Sequence, residues 1–421
     1  MISQNVLNLV DTAMVGHLGN DALAAVGIGG LVQFMSIAFF TGLASSVQAI
    51  ASRRVGEGRI ERSALPVNGA IVLTLSLGLP LCFLLFWGAS WLLSKVNQDA
   101  QVLSIAVPYY QARVLSLVAV GINYAFRGFW NATNRPKLYM KTLIFMHSAN
   151  VLMNYVLIYG RLGFPEMGAT GAGVASCVSA FLGTVTYFYL GWTQSRQHGF
   201  LRALPSSDVY RSLANLLVPT GTQQFFFATG MTIFFALVGM VGTQEVAITH
   251  VLVNLLLTVL LIQIGFGLAS GSLAGQSLGA DDKEEAKAWV GRVSRLGFLV
   301  AVVLSLVMFF LPRIILAPFI QDPETLEMAV WPLRIIALTL PFDAIGMITM
   351  QSLLGVGDAK NVMFLSLVTQ WLFFLPAVYL VGPNWMWGLE AIWIVHAVYR
   401  VLQAGSFVYV WQRGSWLEIE V

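Results

Sequence analysis

Apolar residues fall in long runs broken by short polar, Gly or Pro punctuation, and the runs divide the chain near 1–17, 22–50, 64–94, 102–132, 138–160, 167–192, 215–241, 245–278, 288–318, 326–356, 360–381 and 386–411. Most are long enough for the ~20 residues that a helix needs to cross a bilayer. The pattern predicts twelve transmembrane helices, numbered here as spans 1 to 12. The first is short: only ten residues precede Asp11. At ~1.5 Å per residue such a helix is truncated at its N-terminus, and upstream residues are expected to be missing. The longest polar connector, 193–214, parts the spans six and six. The expected organisation is an N-terminal six-helix lobe over 1–192, a cytoplasmic linker over 193–214 and a C-terminal six-helix lobe over 215–421.

The halves resemble each other. Gly42-Leu43-Ala44-Ser45 in span 2 returns as Gly267-Leu268-Ala269-Ser270 in span 8, and Gly56 as Gly279. Arg113 matches Arg334, and Asn134-Arg135-Pro136-Lys137 matches Gly357-Asp358-Ala359-Lys360, all at offsets of 221–225 residues. Recurrence at near-constant spacing marks a transporter built from repeats. Both halves start on the same side of the membrane, so the lobes are expected to be related by a pseudo-two-fold axis along the membrane normal.

Composition agrees with the pattern: 57% of the 421 residues are hydrophobic and 10% charged, against about 45–50% and about 25% in soluble proteins. No room remains for a sizeable soluble domain. A net charge of +3 gives no reason to expect nucleic acid as a partner. Sixteen Lys and Arg residues lie at loops after even-numbered spans or in the C-terminal tail, against Lys95, Arg161 and Arg313 on the other side. That bias places both termini in the cytoplasm of a multi-pass plasma (cell inner) membrane protein. Cys82 and Cys177 lie in apolar runs and suggest neither a disulfide framework nor a metal site.

Acids inside spans are costly and need a reason. Asp11 lies five residues before Gly16, ~8 Å below the outer end of span 1. Asn150 and Asn154, four residues apart, put two amides on one face of span 5 at matching depth. The three form a candidate proton or cation coupling site, the bland reading being an interfacial acid and amides that glue helices. Asp343 in span 10 follows Pro341, which frees a backbone carbonyl nearby. Carboxylate and carbonyl together make a possible second-lobe cation site, balanced against a hydrogen-bonded structural acid. Arg113 and Arg334 are read as snorkelling to the interface. Gln33, Phe34, Met35, Phe226 and Met231 are candidates for an adaptable substrate cavity, although most such aromatic and Met positions face lipid.

Other chemistry finds little support. Gly275-Gln276-Ser277-Leu278-Gly279 has the G-x-S-x-G spacing but follows a helix where a nucleophile elbow needs a strand. It belongs to a small-residue ladder of Gly267, Gly271, Gly275 and Gly279 suited to close helix contact. No G-K dipeptide and no H-E-x-x-H occurs, so neither a Walker A loop nor a zinc-peptidase helix is present. The chain is not expected to be an enzyme.

Leu9-Val10-Asp11-Thr12-Ala13-Met14-Val15-Gly16-His17-Leu18-Gly19 resembles the first-helix signature of the multidrug and toxic compound extrusion family. Asn150-Val151-Leu152-Met153-Asn154-Tyr155, Gly168 to Gly173, Gly267 to Gly279 and Leu353 to Asp358 resemble its spans 5, 6, 8 and 10, so the likeness covers nearly the whole chain. It implies a V-shaped, two-lobed, all-α antiporter, without cofactor and acting as a monomer among membrane lipids. Its cargo would be bulky, often cationic or amphipathic small molecules, exported in exchange for H⁺ or Na⁺. In the DinF-type branch, which the chain resembles most, the first-helix acid matched by Asp11 is the protonation site. Some members carry an acid where this chain has Asn154. The Na⁺-coupled branch also uses an acid in span 7, whereas Pro219 to Gly230 contains none, although Asp343 matches its span-10 acid. H⁺ is therefore the expected coupling ion and Na⁺ the alternative. A lipid-linked oligosaccharide flippase of the same superfamily is the remaining reading, and it should line its cavity with bases.

Overall fold

The computed structural model describes Asp11 and residues 14–419, and all regular structure among them is helical. In the first half the helices are α1 (Asn20–Gly56), α2 (Leu65–Ser94), α3 (Ala100–Val114), α4 (Leu117–Ala132), α5 (Pro136–Ile158) and α6 (Gly168–Gln194). Helix α7 (Ser207–Gly239) follows, then α8 (Thr243–Gly279), α9 (Lys283–Phe310), the short α10 (Pro312–Leu316) and α11 (Pro323–Val356). The chain ends with α12 (Ala359–Leu367), α13 (Leu375–Tyr379) and α14 (Leu389–Arg413).

Nine helices among the described residues are long and apolar enough to cross a membrane, and α3 with α4, bent by 47°, makes a tenth. Two predicted spans remain. Helix α5 has the length, 23 residues, but carries Lys137, Lys141, His147, Asn150 and Asn154. Most of span 1, with its expected truncation, lies outside the described residues. Bond bookkeeping explains the breaks. Ser116 Oγ turns back to the Arg113 carbonyl at 2.6 Å where α3 gives way to α4, a local bond that competes with the helical ladder. Between α12 and α13, and after α13, Val368–Phe374 and Leu380–Asn384 wind as π-helix. Pro376 and Pro383 lie in this region, where each lacks the N–H of an α-helical turn. Helix starts are capped by Asp99, Asp282, Asp322 and Asp358, whose carboxylates accept from backbone N–H groups of the first turn.

Packing divides the chain into two compact units, Met1–Gly221 and Thr222–Val421, with the boundary inside α7. Each contains a close backbone-to-backbone helix crossing. In the first, a Cβ on Gly128 of α4 would fall on the Ala44 carbonyl of α1; in the second, a Cβ on Gly355 of α11 would lie 2.5 Å from Gly271 Cα of α8. Gly355 follows Gly128, and Gly271 follows Ala44, by the same 227 positions, a little beyond the 221–225 of the sequence landmarks, so the two units close similar seams near, and not at, matching residues.

The connector after α6 is held against the first unit. Ala64 N donates to the His198 carbonyl at 2.9 Å, and Asn68 Nδ2 donates to the carbonyls of Gly199 and Ala203 at 3.1 and 3.0 Å. His198 Nδ1 lies 2.9 Å from Ser63 Oγ. Gly199 makes the turn at φ +90° beside the Glu61 carbonyl, a conformation that L side chains rarely adopt.

Candidate functional site

The end of span 1 packs against α3, α5 and α6. Val15 joins a buried cluster with Tyr109, Ile158, Ala169 and Ala172, and Tyr159 donates its hydroxyl to the Met14 carbonyl at 2.9 Å. This packing sets the half-buried Asp11 against span 5, where Asn154 Nδ2 donates to Asp11 Oδ1 at 2.5 Å. Asn154 is fully buried, and Asn150 lies one turn earlier on the same face. The structure therefore brings Asp11, Asn150 and Asn154 together.

Amide orientations matter here. As placed, Asn154 Nδ2 also donates to Asn150 Oδ1 at 3.2 Å, while Asn150 Nδ2 lies 3.3 Å from Ser176 Oγ of α6. Turned by half a rotation, Asn150 would donate to Asp11 Oδ1 at 3.0 Å and accept from Ser176 N at 3.2 Å. Asn154 Oδ1 has no hydrogen-bond partner among the described residues. A buried acceptor without a donor is costly, so this oxygen has acceptor capacity left to fill.

Arg113 was missed by the snorkelling reading. Its Nη1 donates to Tyr109 Oη at 3.0 Å, and its charge lies within electrostatic reach of Asp11. Arg334, read the same way, is anchored to the Phe309 carbonyl of α9 at 3.2 Å. The signal for Arg113 was the cost of an intramembrane guanidinium, which calls for an acid or other acceptor at similar depth.

In the second unit Asp343 pairs with Arg400 of α14, whose Nε donates to Asp343 Oδ1 at 2.6 Å and whose Nη1 donates to Gln403 Oε1 at 2.8 Å. Gln403 in turn donates to Thr369 Oγ1 at 3.1 Å and Tyr399 Oη at 3.2 Å. Asp343 Oδ2 has no partner among the described residues, and a small cavity beside it is lined by Met347, Met350, Gln403 and Phe407. The carbonyl freed by Pro341, that of Ala337, accepts from Ser305 Oγ of α9 at 2.6 Å. A protein cation and a protein hydroxyl thus already serve the two groups from which a cation site was read. Arg400, distant from Asp343 in sequence, was missed for want of any spacing rule joining spans 10 and 12.

The cavity candidates scatter. Gln33 is buried, and its Nε2 donates to the Arg113 carbonyl at 3.3 Å. Phe34 is exposed and Met35 half-buried. Phe226 packs edge-on against Trp371 with ring centroids 5.4 Å apart, and Met231 packs on the core of the second unit. The cavity beside Asp343 takes its walls from other residues. No group of three His, Cys, Asp or Glu side chains fit to hold a metal occurs among the described residues.

Comparison with known proteins bears on the whole chain. A protein of Synechococcus sp. described as a probable multidrug resistance protein NorM is 26% identical, over 97% of this chain and 89% of its own length. The multidrug resistance protein NorM of Vibrio vulnificus is 24% identical, over 93% of this chain and 88% of its own. The outward-facing structure of a multidrug resistance MATE family transporter of the MOP superfamily shares the fold with a TM-score of 0.90. That match is 19% identical and covers 99% of this chain and 93% of that one. The MatE family profile matches residues 1–156 and 219–380. With both repeated halves matched, over well above half its length, the chain belongs to the MatE family.

Proposed function

We propose that the chain is a secondary active multidrug efflux antiporter of the plasma membrane, exporting bulky, often cationic or amphipathic compounds in exchange for H⁺ at Asp11. The observation that carries this reading is the hydrogen bond from buried Asn154 to Asp11, backed by Asn150. Ionised, Asp11 accepts the Asn154 amide and attracts a cation. Protonated, it is neutral and must donate its O–H, and a turn of the Asn154 amide, whose Oδ1 has no partner of its own, would offer it an acceptor. Proton and cationic cargo then compete for one site, and a tenfold mutual effect on affinity corresponds to ~1.4 kcal/mol. A proton entering from the outer side, where the charge bias places Asp11, expels the cargo there.

Asp343 with Na⁺ is the second reading. Against it stands Arg400, which supplies the carboxylate with a positive charge of its own. The flippase reading calls for several free bases, and of Arg113, Arg127, Arg334 and Arg400 three already have acceptors within the protein, which leaves Arg127 alone. The working protein is proposed as a monomer with both termini cytoplasmic, six-helix lobes over 1–192 and 215–421, and no chemistry done on its cargo.

The test uses purified protein in vesicles, with pH and Na⁺ gradients imposed separately while efflux of a fluorescent cation is followed. Asp11→Asn is expected to insert and fold but to lose pH-driven efflux. Efflux at the wild-type rate by equal amounts of that variant overturns the mechanism. Loss of Na⁺-driven efflux in Asp343→Asn, with none driven by pH in the wild type, moves the coupling to the second unit.

A further inference from the structure

Arg113, Arg127, Arg334 and Arg400 are four of the arginines carried by the span-length helices and the bent α3–α4 pair. Three have an oxygen acceptor in the protein: Tyr109 Oη for Arg113, the Phe309 carbonyl for Arg334 and the Asp343 carboxylate for Arg400. Arg127 of α4 has none among the described residues. Its guanidinium meets only rings, with the centroids of Tyr124 and Tyr139 each 5.9 Å away, and its buried Nε lacks any hydrogen-bond partner. Tyr139 is fixed in turn by Tyr187 of α6, whose hydroxyl donates to the Tyr139 carbonyl at 3.4 Å.

Aromatic faces attract a cation but accept none of its N–H hydrogens in the plane of the guanidinium. The group is half-buried and thus reachable. It lies five residues before Ala132 at the end of α4, ~8 Å along the axis from that end, a depth that headgroup phosphates and a long side chain can bridge between them. Lys137 and Lys141 are exposed on α5 at the same end, and basic residues there favour a net negative headgroup. Next to them Met140, Ile144 and Phe145 stand exposed on α5, apolar surface suited to acyl chains rather than to a free ion.

We propose that Arg127, walled by Tyr124 and Tyr139 between α4 and α5, binds the headgroup phosphate of an anionic phospholipid from the leaflet on the Lys137 and Lys141 side. The planar fork of donors pairs with two phosphate oxygens while the rings exclude water from the contact.

The experiment measures lipid retained by the purified, delipidated full chain, by native mass spectrometry, after titration with phosphatidylglycerol, phosphatidylcholine or soluble glycerol phosphate. The wild type is expected to prefer phosphatidylglycerol over phosphatidylcholine by about tenfold, and glycerol phosphate should not displace it. Arg127→Gln should abolish the preference. Arg127→Lys, which keeps the charge but not the fork, should retain it at several-fold lower affinity. Equal binding of the two lipids by the wild type overturns the proposal, whatever the variants do. So does wild-type preference in Arg127→Gln, or unchanged affinity in Arg127→Lys. Displacement by glycerol phosphate would instead make this a free-phosphate site and overturn the lipid assignment.

Discussion

Ser305 donates its hydroxyl to the Ala337 carbonyl at 2.6 Å, closing the backbone bond that Pro341 cannot make. Both residues are buried. Ser305→Ala leaves that carbonyl unpaired and is expected to lower stability by about 1–3 kcal/mol. Denaturant titration in detergent reads the loss; a change below a few tenths of that would mean the carbonyl finds another donor.

Asp343 and Arg400 are a buried ion pair, with side-chain exposures of 5% and 11%. Removing one partner strands the other, so Asp343→Leu and Arg400→Met should each cost about 3–5 kcal/mol, while the double variant should recover most of the loss. The same titration, run as a double-mutant cycle, gives the coupling. Additive single losses would refute it.

Gly128 has no space for a side chain, because its Cβ would meet the backbone of Ala44 and lie 3.0 Å from Gln48 N. Backbone cannot rotate aside as a side-chain tip can. Gly128→Ala should therefore cost about 1–3 kcal/mol or more through overpacking. Gly88 in α2 has nothing within 4 Å, so Gly88→Ala should be neutral or stabilising by about 0.4–1 kcal/mol. Melting temperatures of the two variants in one detergent decide the contrast.

His198 resists protonation: burial first, then the charge of Arg135, lowers its pKa below the ordinary 6.5. The unfolded chain takes up this proton at higher pH than the folded chain does. The stability contribution is thus fully present above about 6.5 and is lost as pH falls through the folded value. His198→Gln should flatten the acid side of the stability profile measured by thermal unfolding. A wild-type profile with no decline below that pH, or one that His198→Gln leaves unchanged, would show that His198 is not the cause.

Span-level architecture was legible because a membrane helix must be apolar along its whole length, so the pattern survives ignorance of what packs where. The meeting of Asp11 with Asn154 was legible too, since depth along a straight helix follows from counting residues and a four-residue spacing sets the face. What one chain read alone does not carry is the rotation of each helix about its axis. For that reason Arg400 was not matched to Asp343, nor Ser305 to the carbonyl that Pro341 frees, and Arg113 was sent to the interface. Matching intramembrane cations to intramembrane acids at equal depth would have recovered Arg113 and Arg400. Nothing in the spacing marks Arg127, whose distinction is what it lacks.

The twin seams also bear on how force passes through the protein. Where Gly128 meets Ala44 and Gly355 meets Gly271, backbone touches backbone with no side chain between to change rotamer. Such a contact has no second packing to switch into. Each seamed pair of helices therefore resists sliding at its seam, whereas regular winding is interrupted in the π-wound stretches on either side of Leu375–Tyr379.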